Sequence, residues 1–530
     1  MMVKVHPKEA EETVNKNTRI RNFHQAKWDE PVIFELHTAG ERGIIVPEAD
    51  PEITEFVGDG ISSIPQEMQR TTPPSLPEIS QMRVLKHFLR ISQQCLGADL
   101  NVDIGQGTCT VKYSPKINEV LASSPQVTEI HPLQEEITVQ GALEIAYKLD
   151  LFLREISGMD RFSLQPGGGA AAILTMASII QKYHELRGET EKRDEIITTI
   201  FSHPSDAAAA AVKGYKIITL YQNEGGLPDA GALKVALSDR TAGLLITNPE
   251  DTGIFNPKID EFTRLVHEAG GLCGYDQANA NGILGITRAR EADFDMCFFN
   301  LHKTFSTPHG CGGPALGALG VKKELVSFLP VPVVDFNGRS YSLNFDLPNT
   351  IGKIRSFLGV FPVMLKAYAW IMSLGADGLK EASQVAVLNN NYILKKIKEI
   401  KGASAPYAEG KHRIEQVRYS WEKLTDDTGV TTEDIICRMA DFGFHLWTSH
   451  HPYIVPEPFT IEPTESYSKE EIDEYLAALK LIAVEAYSDP EKVKNAPYNS
   501  VVHKIDTSAL DDPEKWAVTW RAYLKKNRNK

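Results

Sequence analysis

The sequence predicts an α/β protein, with a large domain built on a mostly parallel sheet and a smaller α+β domain after it. Two observations carry that expectation. From about residue 139 short apolar runs alternate with stretches of helical length and period, the pattern of strands joined by crossover helices. After about residue 365 the alternation gives way to one long helical stretch and then to a mixed region.

Residues 1–125 read as an N-terminal arm and loop segment. Up to about Leu76 the chain is polar and broken by proline, ending in PPSLP at 73–77. Apolar residues Met82, Leu85, Phe88, Leu89 and Ile91 then recur near the helix period over 78–96, and GQGTCTVKYSPK at 105–116 reads as an ordered loop. Residues 126–365 form the expected large domain. It opens on the amphipathic stretch VQGALEIAYKLDLFLREISG and continues through FSLQP, EIITTIFS, KIITLY, AGLLITN, LCGYD and DMCFFNLH as candidate buried strands. DAGALKVALSD and PKIDEFTRLVHEAG have the length of crossover helices. Residues 366–500 make the smaller domain, which closes on the helical stretch KEEIDEYLAALKLIAVEAYSDP, and 501–530 form a polar tail expected to wrap a neighbouring surface.

At 530 residues the chain exceeds what one hydrophobic core sustains. Apolar residues at 42% and charged residues at 24% place it with folded rather than disordered chains. A net charge of −14 argues against nucleic acid and anionic membranes as partners. Neither an apolar signal-type run near the start nor any long uncharged apolar stretch appears, so no membrane is expected. Six scattered cysteines without metal-ligand spacing read as free thiols of a cytoplasmic protein, and no metal is expected.

The residues able to carry chemistry follow the same alternation. In FFNLHKTFSTPHGCGGP an apolar run ends at His302-Lys303 and passes into a turn rich in Gly, Ser and Thr. A lone lysine there is ordinarily a solvated surface residue. Its upstream company argues otherwise. Asp276 ends the run LCGYD; alone it would read as a turn or helix cap, but Ala278, two residues on, leaves room for a flat ring. QPGGGAAAILTMASII sets glycines between a strand and a helix, so that N–H groups at Gly168, Gly169 and Ala170 are placed to cradle a phosphate. The same glycines also suit a tight turn, and the dinucleotide fingerprint fails because position 172 is Ala. His203 follows EIITTIFS and is placed either to stack on a ring or to satisfy its own strand end. Together these residues fall at successive strand C-ends, where ligands bind in such sheets. The set suits pyridoxal phosphate (PLP), which needs a lysine amine desolvated enough to react with its aldehyde and an acid that keeps its ring an electron sink. Lys303, His203 and Asp276 are the expected catalytic residues.

Longer segments carry a resemblance. NLHKTFSTPHG, HPLQEEITVQGALE, GTCTVKYSPKIN, VHEAGGL, FLPVPVV and IEPTES, within a likeness running from FELHTAGERG near residue 34 to about residue 500, resemble the P-protein of the glycine cleavage system. The match is to subunit 2 of its two-subunit bacterial form. The resemblance implies a fold-type-I PLP enzyme in which Lys303 holds the cofactor, Asp276 faces the ring nitrogen, and Thr304, with nearby donors at His302 and Ser205, helps anchor it. It also implies decarboxylation of glycine, transfer of the aminomethyl group to the lipoyl arm of the H-protein, and a related subunit 1 that completes the site in a heterotetramer.

Departures from the family pattern concentrate where the chemistry is expected. Ala171, Ala172 and Ile173 replace a ring-stacking His followed by Gly-Glu. Asp206 replaces a neutral amide in the segment His203, Pro204, Ser205, Asp206 and Ala207, and Glu250 and Asp251 replace Asn and Thr. Glu415, Gln416 and Val417 replace His-Glu-Phe, and Leu446, Trp447, Thr448, Ser449, His450 and His451 replace a Pro-Pro-Thr loop. Acids near the cofactor repel a substrate carboxylate unless they are paired. Two alternatives follow: a diverged paralog acting on another small amino acid or amine, and a non-catalytic scaffold, against which retention of both Lys303 and Asp276 speaks.

Overall fold

The computed structural model describes residues 20–96, 100, 102–105, 113–308, 313, 315–407, 409–446, 454–504 and 519–527. Contacts divide the chain into two units, one built on residues 98–496 and the other joining 22–97 to the segment from 497 onward.

In the first unit seven strands form the central sheet: β1 (Arg161–Ser163), β2 (Glu195–Thr199), β3 (Lys216–Leu220), β4 (Thr241–Thr247), β5 (Leu272–Asp276), β6 (Met296–Asn300) and β7 (Gly317–Val321). Their order is β1-β7-β6-β5-β4-β2-β3. Strands β2 to β6 pair in parallel, while β7 lies antiparallel to both β6 and β1. The first six fall on the six apolar runs of the sequence. β7, from GALGV, does not: Gly and Ala carry little strand preference, and pairing along both edges holds it in place.

Side chains alternate across these strands, so the sheet buries both faces. Ile196, Leu245 and Phe298 share one core with Ala172, Ile173, Met176 and Ile180 of the helix Gly169–Leu186. Ile197, Leu244 and Phe299 share the opposite core with Leu149 and Leu153 of the helix Gln140–Ser157. Each such Ile, Leu, Met or Phe side chain, fully buried, contributes about 1.5–3 kcal/mol. A hairpin, β8 (Val333–Phe336) and β9 (Tyr341–Asn344), lies beside the sheet.

The long helix Phe361–Ile397 changes direction at Gly375, whose φ of 64° side chains rarely adopt. Beyond it a separate core forms on the antiparallel pair β10 (Val417–Ser420) and β11 (Pro458–Ile461). Two strands alone are marginal in water. Here Trp421 stacks on Phe459 at 5.0 Å, and Ile472, Tyr475 and Leu479 of the helix Lys469–Ser488 close the core. That helix starts cleanly because Ser468 and Glu471 form a reciprocal capping box.

The second unit contains the helix Gln81–Gln93, and its tail helix Trp520–Asn527 sets Trp520 against Phe34 with ring centroids 4.9 Å apart. Cys95, Cys273, Cys297 and Cys437 are unbridged; Cys109, Cys311, most of the loop at 105–116 and residues 447–451 lie outside the described residues. No described helix is long and apolar enough to cross a membrane.

At the end of the sheet opposite the strand C-ends, His267 contacts Asp295 (2.8 Å) and Asp293 (3.3 Å). Its hydrogen bond to Asp295 is the main cause of a pKa held above the usual histidine value. A histidine with a raised folded-state pKa stabilises fully below its unfolded value, about 6.5, and loses that contribution as pH rises through the folded value. His267→Gln is therefore expected to lower the unfolding midpoint at about pH 6 and to match the parent at about pH 9. Equal losses at both pH values, in denaturant melts, would show that the charge contributes nothing.

Candidate active site

The parallel strands end together, and a cleft opens at their C-termini. Register places Thr247 of β4 beside Asp276 of β5, and Asp276 beside Phe298 of β6. Phe201 and His203 reach the cleft after β2, Asn248 and Asp251 after β4, Ala278 and Asn279 after β5, and Lys303 after β6. Glu415 and Gln416 enter from the segment leading into β10. Four expected site residues, Lys303, Asp276, Ala278 and His203, thus line one cavity.

Asp276 is 7% exposed and its Oδ1 accepts the Ala278 N–H at 2.8 Å. Burial raises its pKa to about 6, against the opposing pull of that N–H and of Lys303. Lys303 sits in a turn closed by its own N–H to the Asn300 carbonyl at 3.0 Å. The Thr304 hydroxyl accepts from the Ala280 N–H (2.9 Å) and contacts Asn279 Oδ1 (3.3 Å), bracing the lysine turn against the loop after β5. His203 caps the helix Pro204–Val212: its Nδ1 accepts the Ser205 N–H at 3.1 Å and lies 2.7 Å from the Ser205 hydroxyl. An accepting Nδ1 leaves the neutral ring's proton on Nε2.

The glycine turn lies one step away. Gly168 and Gly169 begin the helix Gly169–Leu186, with Ala170 in its first turn. A Cβ on Gly169 would come within 2.9 Å of the Asn300 side chain, and one on Gly168 within 3.9 Å of His302 Cε1. The turn therefore packs against the end of β6, next to the lysine. Gly168, Gly169, Ala170, Ser205, His302 and Thr304 are not among the residues lining the cleft.

The new acids differ in how they are met. Arg418, 1% exposed, pairs with Asp251, and Gln416 Nε2 donates to Asp251 Oδ1 at 2.6 Å. This close seating needs Gly253, where a Cβ would sit 1.8 Å from the Gln416 carbonyl. Glu250 is held by the Thr199 hydroxyl, 3.0 Å from each of its oxygens, and burial raises its pKa to about 8. Asp206 is buried with neither oxygen bonded among the described residues; burial, then Asp276 and Glu250, push its pKa well up. Sequence reasoning did not single out Phe201, Asn248, Asn279 or Arg418. The first three follow strand C-ends, which was the available signal; Arg418 had none.

A family model described as glycine dehydrogenase, C-terminal domain, matches residues 382–504, and one described as aminotransferase class-V matches residues 168–337. A probable glycine dehydrogenase (decarboxylating) subunit 2 from Pyrococcus abyssi is 46% identical over 503 residues, which cover 94% of this chain and 98% of the relative. One from Pyrococcus horikoshii is 45% identical over 503 residues, with the same two coverages. This chain belongs to the glycine dehydrogenase (decarboxylating) subunit 2 family. A crystal structure of glycine decarboxylase (P-protein) of the glycine cleavage system, in inhibitor-bound form, shares its fold: 20% identity, TM-score 0.68, covering 82% of this chain and 99% of that one. The glycine dehydrogenase subunit 2 chain thus has the fold-type-I architecture, and its amine and acid, Lys303 and Asp276, occupy one cleft at the strand C-ends.

Proposed function

We propose that this chain is the PLP-bearing subunit of a glycine dehydrogenase that decarboxylates glycine and passes the aminomethyl group to the lipoyl arm of an H-protein, working with a subunit 1 homologue. The observation that carries the reading is the shared cleft of Lys303 and Asp276. The residues present fit the cofactor: a primary amine, a partly protonated buried acid and the small Ala278 line a single cavity. In this reading Lys303 holds the cofactor covalently and Asp276 faces its ring nitrogen. Backbone N–H groups at Gly168, Gly169 and Ala170 take the phosphate with help from Ser205, His302 and Thr304. When bound, PLP supplies an electron sink for the pair left on Cα as CO₂ departs.

The chain's own residues then do simple things. Asp276 carries the charge opposite the ring nitrogen, in a buried place where that charge acts strongly. His203 is exposed at the mouth and oriented by Ser205. Arg418 cancels the charge of Asp251, so this acid does not repel the substrate. In the presence of the subunit 1 homologue and H-protein, the chain is expected to exchange labelled bicarbonate into the carboxyl of glycine. A cofactor-loaded complex that exchanges none would remove glycine from consideration. The unbonded acid Asp206 favours a second reading, a different small amino acid or amine, which a panel of amines tested on the cofactor's visible band would reveal.

A further inference from the structure

Glu415 stands apart from the other acids of the cleft. It is 4% exposed, lines the cavity with Lys303 and Asp276, and its Oε2 has no hydrogen-bond partner among the described residues. Its neighbours fix it from both sides: the Ile414 N–H donates to the Gly253 carbonyl at 2.9 Å, and Gln416 is bound to Asp251. The ionisable groups facing it are Tyr275 and Asp276 on β5, Lys303 after β6 and Glu462 after β11. Lys303 is the sole cation of that set. Burial, then Glu462, drives the Glu415 pKa well up, with Lys303 opposing, which favours the protonated carboxyl.

An amino acid entering this cleft brings a carboxylate that needs a donor. No guanidinium lines the cavity among the described residues, and its one lysine is committed to the cofactor. Asn279 Nδ2 already donates to Glu462 (2.6 Å), Gln416 Nε2 to Asp251 and Asn248 Nδ2 to the Asn256 carbonyl, while His203 is exposed at the mouth and tied to Ser205. We propose that Glu415, as a neutral acid, receives the substrate carboxylate by donating its Oε2–H to a carboxylate oxygen, an assignment that rests on the glycine reading above. A neutral donor holds the group without the charge of a cation, a weak clamp suited to a carboxylate that leaves as CO₂. When the Cα–carboxyl bond breaks the electron pair stays on Cα, and the Glu415 proton is not consumed. Once deprotonated, the same side chain becomes a like charge against the substrate.

The test uses the cofactor-loaded complex and reads dissociation constants from the change in the visible band. Glycine is compared with methylamine, which lacks a carboxylate; the ratio of the two constants cancels the titration of the incoming amine. In the parent, preference for glycine is expected to fall about tenfold or more as rising pH ionises Glu415. Glu415→Gln keeps a donor in the same shape and should hold the preference nearly constant over the same rise. Glu415→Leu should weaken glycine by about tenfold to a hundredfold at the acid end and leave methylamine unchanged; if that variant does not fold, the glutamine variant alone decides. A preference that does not change with pH in the parent, or falls equally in Glu415→Gln, overturns the assignment and leaves the glycine reading standing. A band that forms but never responds to glycine overturns both.

Discussion

Lys303→Ala should yield a folded protein that no longer forms the lysine-dependent visible band with added PLP and that loses glycine-dependent bicarbonate exchange by on the order of 10³-fold or more. The cleft offers no second primary amine among its lining residues, so no neighbour can take over. Folding should survive, because the turn is closed by the main-chain bond from residue 303 to the Asn300 carbonyl and by Thr304, both of which alanine leaves in place. Lys303→Arg separates two roles. It keeps a cation beside Asp276 and Glu415 but cannot react with an aldehyde, so it should restore the electrostatics of the cavity without restoring the band. An unchanged spectrum in either variant would disprove that Lys303 holds the cofactor.

The fold was legible wherever burial alone decides local structure. Runs such as AGLLITN and DMCFFNLH are apolar at their centres because β4 and β6 are covered on both faces. GALGV lacked that signal, since β7 is held by neighbours rather than by its own preference. The site divides along the same line. Lys303, Asp276 and His203 follow strand ends, so sequence order and a topological rule sufficed to group them. Glu415 and Gln416 belong to the segment that leads into β10, whose core is separate, and they reach the cleft through tertiary packing against Asp251 and Gly253, while Arg418 lies in β10 itself and pairs with Asp251. Resemblance marked positions 251 and 415 as altered; no local pattern could tell that Asp251 would be charge-matched by Arg418 while Glu415 would not be.

Asp276→Asn is expected to separate stability from function. In the folded chain burial raises this carboxyl from 3.8 to about 6. A raised acid pKa means the unfolded chain sheds the proton first, so stability falls as pH climbs through that interval, by roughly 3 kcal/mol once pH is above both values. Asparagine has the same shape, can still accept the Ala278 N–H, and never ionises. The cofactor-free variant should therefore be more stable than the parent by up to about 3 kcal/mol at pH 7, with the gain vanishing near pH 4. Loaded with PLP, the same variant should lose about 10²- to 10⁴-fold in exchange, because a neutral amide cannot hold a proton on the ring nitrogen. Urea midpoints at the two pH values and exchange at neutral pH measure both halves. A variant that is active, or one that is no more stable at pH 7 than at pH 4 relative to its parent, would mean that the acid is not kept there, at a cost in stability, for the ring.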